Sequence, residues 1–442
     1  MNNTDTVSNK SFNIYNFIRQ QAFGGFLLIA VTVFAMIWAN SRFYEQYHYI
    51  FHGIKMGFSV GSFELKESLF HWINDGLMAI FFFMVGLEIK REVLAGELSS
   101  IKKAAMPIGA AMGGMLVPAF IYAVIHFNNP ETIHGWGIPM ATDIAFALGL
   151  ISLLGKRVPV SLKIFLTALA IADDLGAIMV IAIFYTETIN LFSLVNAGIF
   201  LAILMTANRL GVRQTSFYAI VGFLGVWMSF LFSGIHSTIA GVLIALTIPV
   251  RTKITEKKYV EEVSVLVDKF RNEQPNDVSL LTQEQSKLVS KIEKLSDRAN
   301  TPLQKLEHGL HPITAFFILP LFALANGGVH IQGNIWDLLF HPVALGIVAG
   351  LVLGKFIGVS LFSRLMVLLK VAQLPKGVSW KHIYGAGMMA GIGFTMSIFI
   401  SGLAFKSEEL QQASKLGIFA ASIIAAVIGL LYLGSIKEED AH

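Results

Sequence analysis

Twelve membrane-crossing helices containing an internal inverted repeat are the architecture this sequence predicts. Three observations carry the prediction. Apolar runs close to the roughly 20 residues needed to cross a bilayer recur along the chain. Lys and Arg gather on alternate connections, and two corresponding runs are interrupted near their middles by Gly or Pro. The composition agrees: 55% of the 442 residues are hydrophobic and 14% charged, with mean hydropathy +0.65, whereas soluble domains carry about 25% charged residues.

The spans are expected at 23–40, 69–87, 104–126, 133–154, 159–185 and 191–207, then at 215–232, 235–250, 307–325, 342–362, 383–404 and 416–434. Backbone groups in lipid must bond within the chain, and the runs lack the ten-residue alternation of a barrel strand. The expected class is therefore an all-α integral membrane protein forming one transmembrane domain over 1–442. The first 22 residues show no small-residue cleavage site and read as retained. The absence of Cys excludes disulfides and thiolate metal sites. The net charge of +4 belongs to loops rather than to a nucleic-acid footprint.

Assigning the connections to alternate sides puts 27 of the 33 Lys and Arg residues on the side of both termini, five opposite, and one, Lys355, within a span. The positive-inside rule then places both termini in the cytoplasm. Two connections are distinctive. Residues 51–66, on the outer side, alternate apolar and polar around Val60-Gly61-Ser62 and predict a β-hairpin. Residues 252–300, on the cytoplasmic side, form an insertion rich in Lys, Glu, Gln and Ser. Val260, Val263, Val267 and Phe270, then Leu288, Ile292 and Leu295, fall at helical spacing there, predicting two surface helices broken at Gln274-Pro275-Asn276.

Four ionisable residues sit near span midpoints: Asp143 in the fourth span, Asp173 and Asp174 in the fifth, and Lys355 in the tenth. Each costs about 2.5–3.5 kcal/mol at a helix centre, roughly 10 kcal/mol together unless paired or hydrated. A bundle-stabilising ion pair needs equal charges, whereas three carboxylates facing one lysine leave a net negative site. Adjacent helical residues point about 100° apart, so Asp173 and Asp174 can both line one cavity. At about 6 Å and an effective dielectric near 20 their repulsion is roughly 2.8 kcal/mol, which any bound cation relieves. Protons and a small cation therefore compete for the same oxygens. Oxygen-only ligation suits a hard ion, with Na⁺ or Li⁺ the natural occupant.

The fourth span contains Gly137-Ile138-Pro139-Met140-Ala141-Thr142-Asp143, and the eleventh contains Gly385-Ala386-Gly387 and Gly391-Ile392-Gly393-Phe394-Thr395. Both invite a break at membrane depth, which is tolerated where it lines a cavity. Spans 3–5 and 10–12 are then equal triplets of opposite orientation, each with an interrupted middle helix, the pattern of inverted-repeat transporters. Asp143 and Lys355 could neutralise the half-helix dipoles that meet at the crossing.

Several stretches closely resemble the NhaA family of sodium/proton antiporters. They are Gly86–Glu92, Met140–Gly149, Ala168–Ile178, Ser233-Gly234-Ile235-His236, Leu306-Glu307-His308, Gly354-Lys355 and Gly391–Ser397. The resemblance implies that Asp173 and Asp174 bind the ion and the protons. It makes Thr142 and Asp143 the unwound crossing, so that these four residues form the expected cation site, and makes Lys355 the membrane-embedded lysine that pairs with Asp173. It implies electrogenic export of Na⁺ or Li⁺ against entering protons across a bacterial inner membrane, without a resident cofactor. Glu88, Glu92, His236 and Glu307 correspond to positions tied to pH activation, and the outer hairpin to the contact of a homodimer. The 252–300 connection is longer than in the best-known members, and Asn326-Gly327-Gly328 stands where Asn-Ala-Gly is usual.

An intramembrane aspartyl protease would also hold two mid-membrane carboxylates, but its Gly-x-Gly-Asp element is missing, since Phe394 follows Gly391-Ile392-Gly393. A cation channel is the other alternative. Strong competition between cation and proton suits alternating access better than a conductive pore. No enzymatic activity is expected.

Overall fold

Apolar runs become helices here because only a helix satisfies its own backbone in lipid. The computed structural model describes residues 23–60, 63–186, 189–273, 280–331 and 333–436. Among these, seven helices are long and apolar enough to cross a membrane: Leu69–Ala95, Ile101–Ile125, Val160–Phe184, Leu191–Arg209, Pro302–Asn326, Pro342–Leu368 and Glu408–Ser435. Three bent pairs raise the number to ten when each pair is one span. Large apolar side chains face outward along them, Phe120 at 68% exposure, Phe192 at 76% and Leu431 at 71%, as expected of a lipid-facing wall.

The seventh and eighth expected spans form shorter apolar helices, Thr215–Leu231 and Thr238–Thr247. At 1.5 Å per residue the latter rises only about 15 Å. It is shortened at both ends. The segment before it turns through Gly234 at φ +82°, and at its far end the Lys90 ammonium donates to the carbonyls of Leu246 and Ile248, both at 2.6 Å, closing the helix with a cation.

Two of the bent pairs fall where interruption was expected. Pro130–Met140 and Ile144–Leu153 meet at 48°, and Trp380–Met389 and Phe394–Ala404 at 47°. The third was not anticipated: Phe23–Ala39 and Tyr44–Gly53 meet at 119°, so the chain turns into a second short helix in a stretch, 41–50, to which the sequence reading assigned no element. The signal for it was available, because Tyr47 and Phe51, four residues apart, are both buried.

The hairpin forms as strands Lys55–Val60 and Phe63–Ser68, antiparallel with Lys55 opposite Ser68 and Val60 opposite Phe63. The pairing starts four residues later than expected because Tyr49–Gly53 is helical. The insertion forms helices Glu256–Asn272 and Gln283–Ala299, joined side by side through Tyr259 Oη and Ser296 Oγ at 3.0 Å. Thr255 and Thr282 cap them, the latter in a reciprocal box with Gln285. The expected break at Gln274-Pro275-Asn276 and the first 22 residues lie outside the described residues, as do Gly61 and Ser62 of the hairpin turn. The bundle thus has a hairpin end and an insertion end.

Close backbone contacts hold the site elements together. A Cβ at Gly113 would strike the carbonyl of Gly358, and one at Gly358 would strike that of Gly113. Helices Ile101–Ile125 and Lys355–Leu368 therefore approach as only glycine permits, which places Lys355 beside Gly114, whose added Cβ would lie 3.6 Å from Nζ.

Candidate functional site

Helix Val160–Phe184 carries Asp173 and Asp174 into the interior, at 0% and 1% exposure. Their carboxylates have different surroundings. Asp173 Oδ2 accepts from Lys355 Nζ at 2.5 Å and from the Thr142 hydroxyl at 2.9 Å, while its Oδ1 is buried without a protein partner. Asp174 faces a cavity that Asp173 does not line, and its Oδ1 has no protein partner. The sequence reading put both in one cavity. The 100° between neighbours instead turns Asp173 toward the tenth-span lysine and Asp174 toward the open space.

Lys355 is 0% exposed and also donates to Thr142 Oγ1 at 2.9 Å. The Thr142 hydroxyl reaches the Ala390 carbonyl at 3.0 Å as well. Having a single proton, it serves Asp173 or Ala390 at any moment.

The two interrupted helices cross beside this pair. Asp143 caps Ile144–Leu153, its Oδ1 accepting from Phe146 N at 3.0 Å. Its Oδ2 accepts from Thr395 N at 3.1 Å and from the Thr395 hydroxyl at 2.5 Å. One carboxylate thus closes the N-termini of both half-helices, where the dipoles favour negative charge. Lys355 takes up no carbonyl at the opposite, C-terminal ends directly; Thr142 is the intermediary to Ala390.

The cavity at Asp174 runs toward the insertion end and has a volume of about 60 Å³, room for roughly four waters at about 10–15 Å³ each. Asp143 and Thr395 border its inner end, and Glu88, Arg91 and His311 its outer part. Arg91 is the organiser there. Its Nη1 lies 2.9 Å from Glu307 Oε1 and its Nη2 3.0 Å from Glu92 Oε1. Glu92 Oε2 in turn accepts from Glu97 N at 2.8 Å.

The expected donor set is therefore divided. Asp174 is open, Asp173 and Thr142 are engaged with Lys355, and Asp143 is engaged with both half-helices. Among the described residues no three or more Asp, Glu or His side chains converge into a closed metal shell. A carboxylate at the end of the cavity with one oxygen free of protein partners, Asp174 Oδ1, suits a hard cation that arrives and leaves.

Of the four residues singled out for pH activation, Glu88, Glu92 and Glu307 are brought together around Arg91. His236 is not with them. It sits in the loop before Thr238, next to Ser237, which donates to Asp75 Oδ1 at 2.9 Å. Asp75 precedes Glu88 by thirteen residues, about 20 Å along the helix. Sequence reasoning assigned no role to Arg91 or Thr395. The signals were present: Arg91 is three residues after Glu88, on the same helix face, and Thr395 opens the half-helix after the Gly391-Ile392-Gly393 break.

A family profile described as Na⁺/H⁺ antiporter 1 matches residues 15–433. The Na⁺/H⁺ antiporter NhaA of Oleidesulfovibrio alaskensis is 49% identical over 419 residues, covering 94% of this chain and 92% of its own. Na⁺/H⁺ antiporter NhaA 1 of Psychromonas ingrahamii is 47% identical over 413 residues, 93% of each. Na⁺/H⁺ antiporter NhaA of Helicobacter pylori strain HPAG1 is 47% identical over 443 residues, covering 100% of this chain and 99% of its own.

Proposed function

The chain belongs to the Na⁺/H⁺ antiporter 1 family and is a multi-pass membrane antiporter of Na⁺ and protons; from that premise we propose a task for each buried charge. Asp174 is the landing point for Na⁺ or Li⁺, entering through the cavity that ends on it. The observation carrying this reading is the contrast between the pair: Asp174 open to the cavity, Asp173 held by Lys355. A cation at Asp174 recruits the free Oδ1 of Asp173, weakens the ion pair with Lys355 and releases protons. Their return reverses the order. Asp143 and Thr142 complete the site at the crossing.

Two further properties follow from this chemistry. Exchange is electrogenic when more protons than sodium ions move per cycle, which the lysine makes possible by adding a third titratable group to the two carboxylates. Exchange is pH-activated, because protonated oxygens cannot admit a cation and Glu88, Glu92 and Glu307 around Arg91 set the charge at the cavity mouth. His236 contributes from the other end. The loop charges support a cytoplasmic side for both termini and the 252–300 insertion, the membrane being a bacterial inner membrane in this reading. The cavity then faces inward, one state of an alternating-access cycle, and the hairpin lies outside as the contact of a homodimer. A proton-sharing protease dyad is disfavoured by the commitment of Asp173 to Lys355.

The test is reconstitution. Proteoliposomes holding the purified chain under an imposed ΔpH should lose the gradient when Na⁺ or Li⁺ is added and keep it with K⁺ or Ca²⁺. Loss with K⁺, or a current reversing at the Na⁺ Nernst potential, would overturn the reading.

A further inference from the structure

Transport leaves a second concentration of charge at the insertion end unexplained. Where the insertion meets the bundle lies a cavity of about 670 Å³, within the roughly 300–1,000 Å³ of small-ligand sites. Its walls come from three pieces of chain. Arg213 comes from the connection between the sixth and seventh spans, Lys253, Lys294 and Arg298 from the insertion, and Lys305 from the helix that begins at Pro302. Asp297 is the one carboxylate among them, and it is already committed to Lys305 at 2.6 Å.

A cytoplasmic loop needs scattered lysines only to fix topology, and scattered lysines repel one another into solvent. These cations converge instead, held by the backbone. Lys253 N donates to the Arg298 carbonyl at 2.9 Å, and Arg213 Nη2 to the Asn300 carbonyl at 2.7 Å. Five positive charges face one space with a single carboxylate in reply. The second observation is Arg213 itself. Its Nη1 is buried with no hydrogen-bond partner, and such an orphan donor is costly to leave unmade. Burial also draws its affinity for the proton below the usual arginine value, a strain that a bound anion would relieve.

We propose that this cavity binds a phosphate-bearing anion, with Arg213, Lys294 and Arg298 as its donors, so that the ligand joins the insertion to the transport bundle. Phosphate is the chemistry that fits. Arginine forks pair with its oxygens in parallel, and lysines add mobile point charges around a multiply charged group. Bound there, the anion touches the helix that also carries Glu307, two residues after Lys305. Such an anion comes from a lipid headgroup at the membrane boundary or from a soluble phosphate compound.

The experiment uses the full chain, delipidated in a neutral detergent and kept in potassium salts so that the sodium site stays empty. One arm titrates potassium pyrophosphate by calorimetry. The other counts bound phosphatidylglycerol against phosphatidylcholine by native mass spectrometry. Binding of either probe is expected, and the arm that responds names the source. The double variant Lys294→Gln/Arg298→Gln, both positions exposed, should weaken that binding about a hundredfold, roughly tenfold for each charge-assisted contact removed. Lys257→Gln/Lys258→Gln, on the first helix of the same insertion but outside the cavity, should leave it unchanged. Absence of binding in both arms, or equal loss in the two double variants, overturns the proposal.

Discussion

Lys355 Nζ and Asp173 Oδ2 lie 2.5 Å apart with both side chains wholly buried, so each supplies the countercharge that makes the other tolerable in the interior. Removing one partner of a buried pair costs about 3–5 kcal/mol. Lys355→Gln should therefore lower the melting temperature and permit at most electroneutral exchange. Lys355→Arg keeps the charge but does not deprotonate in practice, and should fold normally while exchanging more slowly or with less current. Electrical recording on supported membranes, set beside dye-reported proton flux, separates the two. Full voltage-driven exchange in Lys355→Arg would make the lysine a structural partner only.

The neighbouring carboxylates should respond differently to the same substitution. Asp174→Asn removes a charge and a titratable proton from a side chain with no ion-pair partner, so transport should fall to background while stability holds or improves. Asp173→Asn strands Lys355, so it should both impair transport and destabilise by about 3–5 kcal/mol. Thermal melts of the two variants beside vesicle assays check the contrast. Near-normal exchange by Asp174→Asn would refute the site.

Exchange should rise from acid to alkaline conditions, since protons must leave the carboxylates before a cation can enter. Arg91 gives Glu307 and Glu92 their countercharge. In Arg91→Ala the cavity mouth loses that positive charge, and the activity profile should move alkaline. The guanidinium is 37% exposed and partly screened, so the displacement should be about one pH unit. An Arg91→Ala profile that coincides with the wild type, or a wild-type rate flat between about pH 6 and 9, counts against this account.

Among the described residues the strand pair Lys55–Val60 and Phe63–Ser68 forms a sheet of its own, so each strand has an edge outside this pairing along which a second copy can add. Replacing the two strands with a short Gly/Ser linker should yield monomers in mild detergent, measured by light scattering. A dimer that survives the replacement would locate the contact elsewhere.

The buried charges were legible in the sequence because an ionisable residue amid apolar neighbours is conspicuous by composition alone. Asp143, Asp173, Asp174 and Lys355 all proved to be interior. The interruptions were legible for the same kind of reason, Pro139 and the paired glycines being local signals. Pairing was not legible at that level. That Asp143 would cap two helices, or that Asp173 and Asp174 would face different ways, depends on how far each helix rotates in its packing, and rotation is set by contacts such as Gly113 against Gly358. Arg91 was hidden for another reason. A cation near a span end looks like any topology signal until Glu307, more than two hundred residues later, is found 2.9 Å away.

The crossing has a mechanical meaning. Five hydrogen bonds link one interrupted helix to the other, the Thr142 one shared with Asp173: Asp143 N to Ile392 O, Thr395 N and Oγ1 to Asp143, Thr142 to Ala390 O, and Ser397 to Ile138 O. Two of them end on a carboxylate, the stronger kind. Pulling the half-helices apart would strip all five in a place where water can replace few of them. The crossing is therefore a rivet rather than a hinge. Any motion that exposes Asp174 to the opposite side has to carry both interrupted helices as one body, with the bending taken up at the boundary between that body and its neighbours.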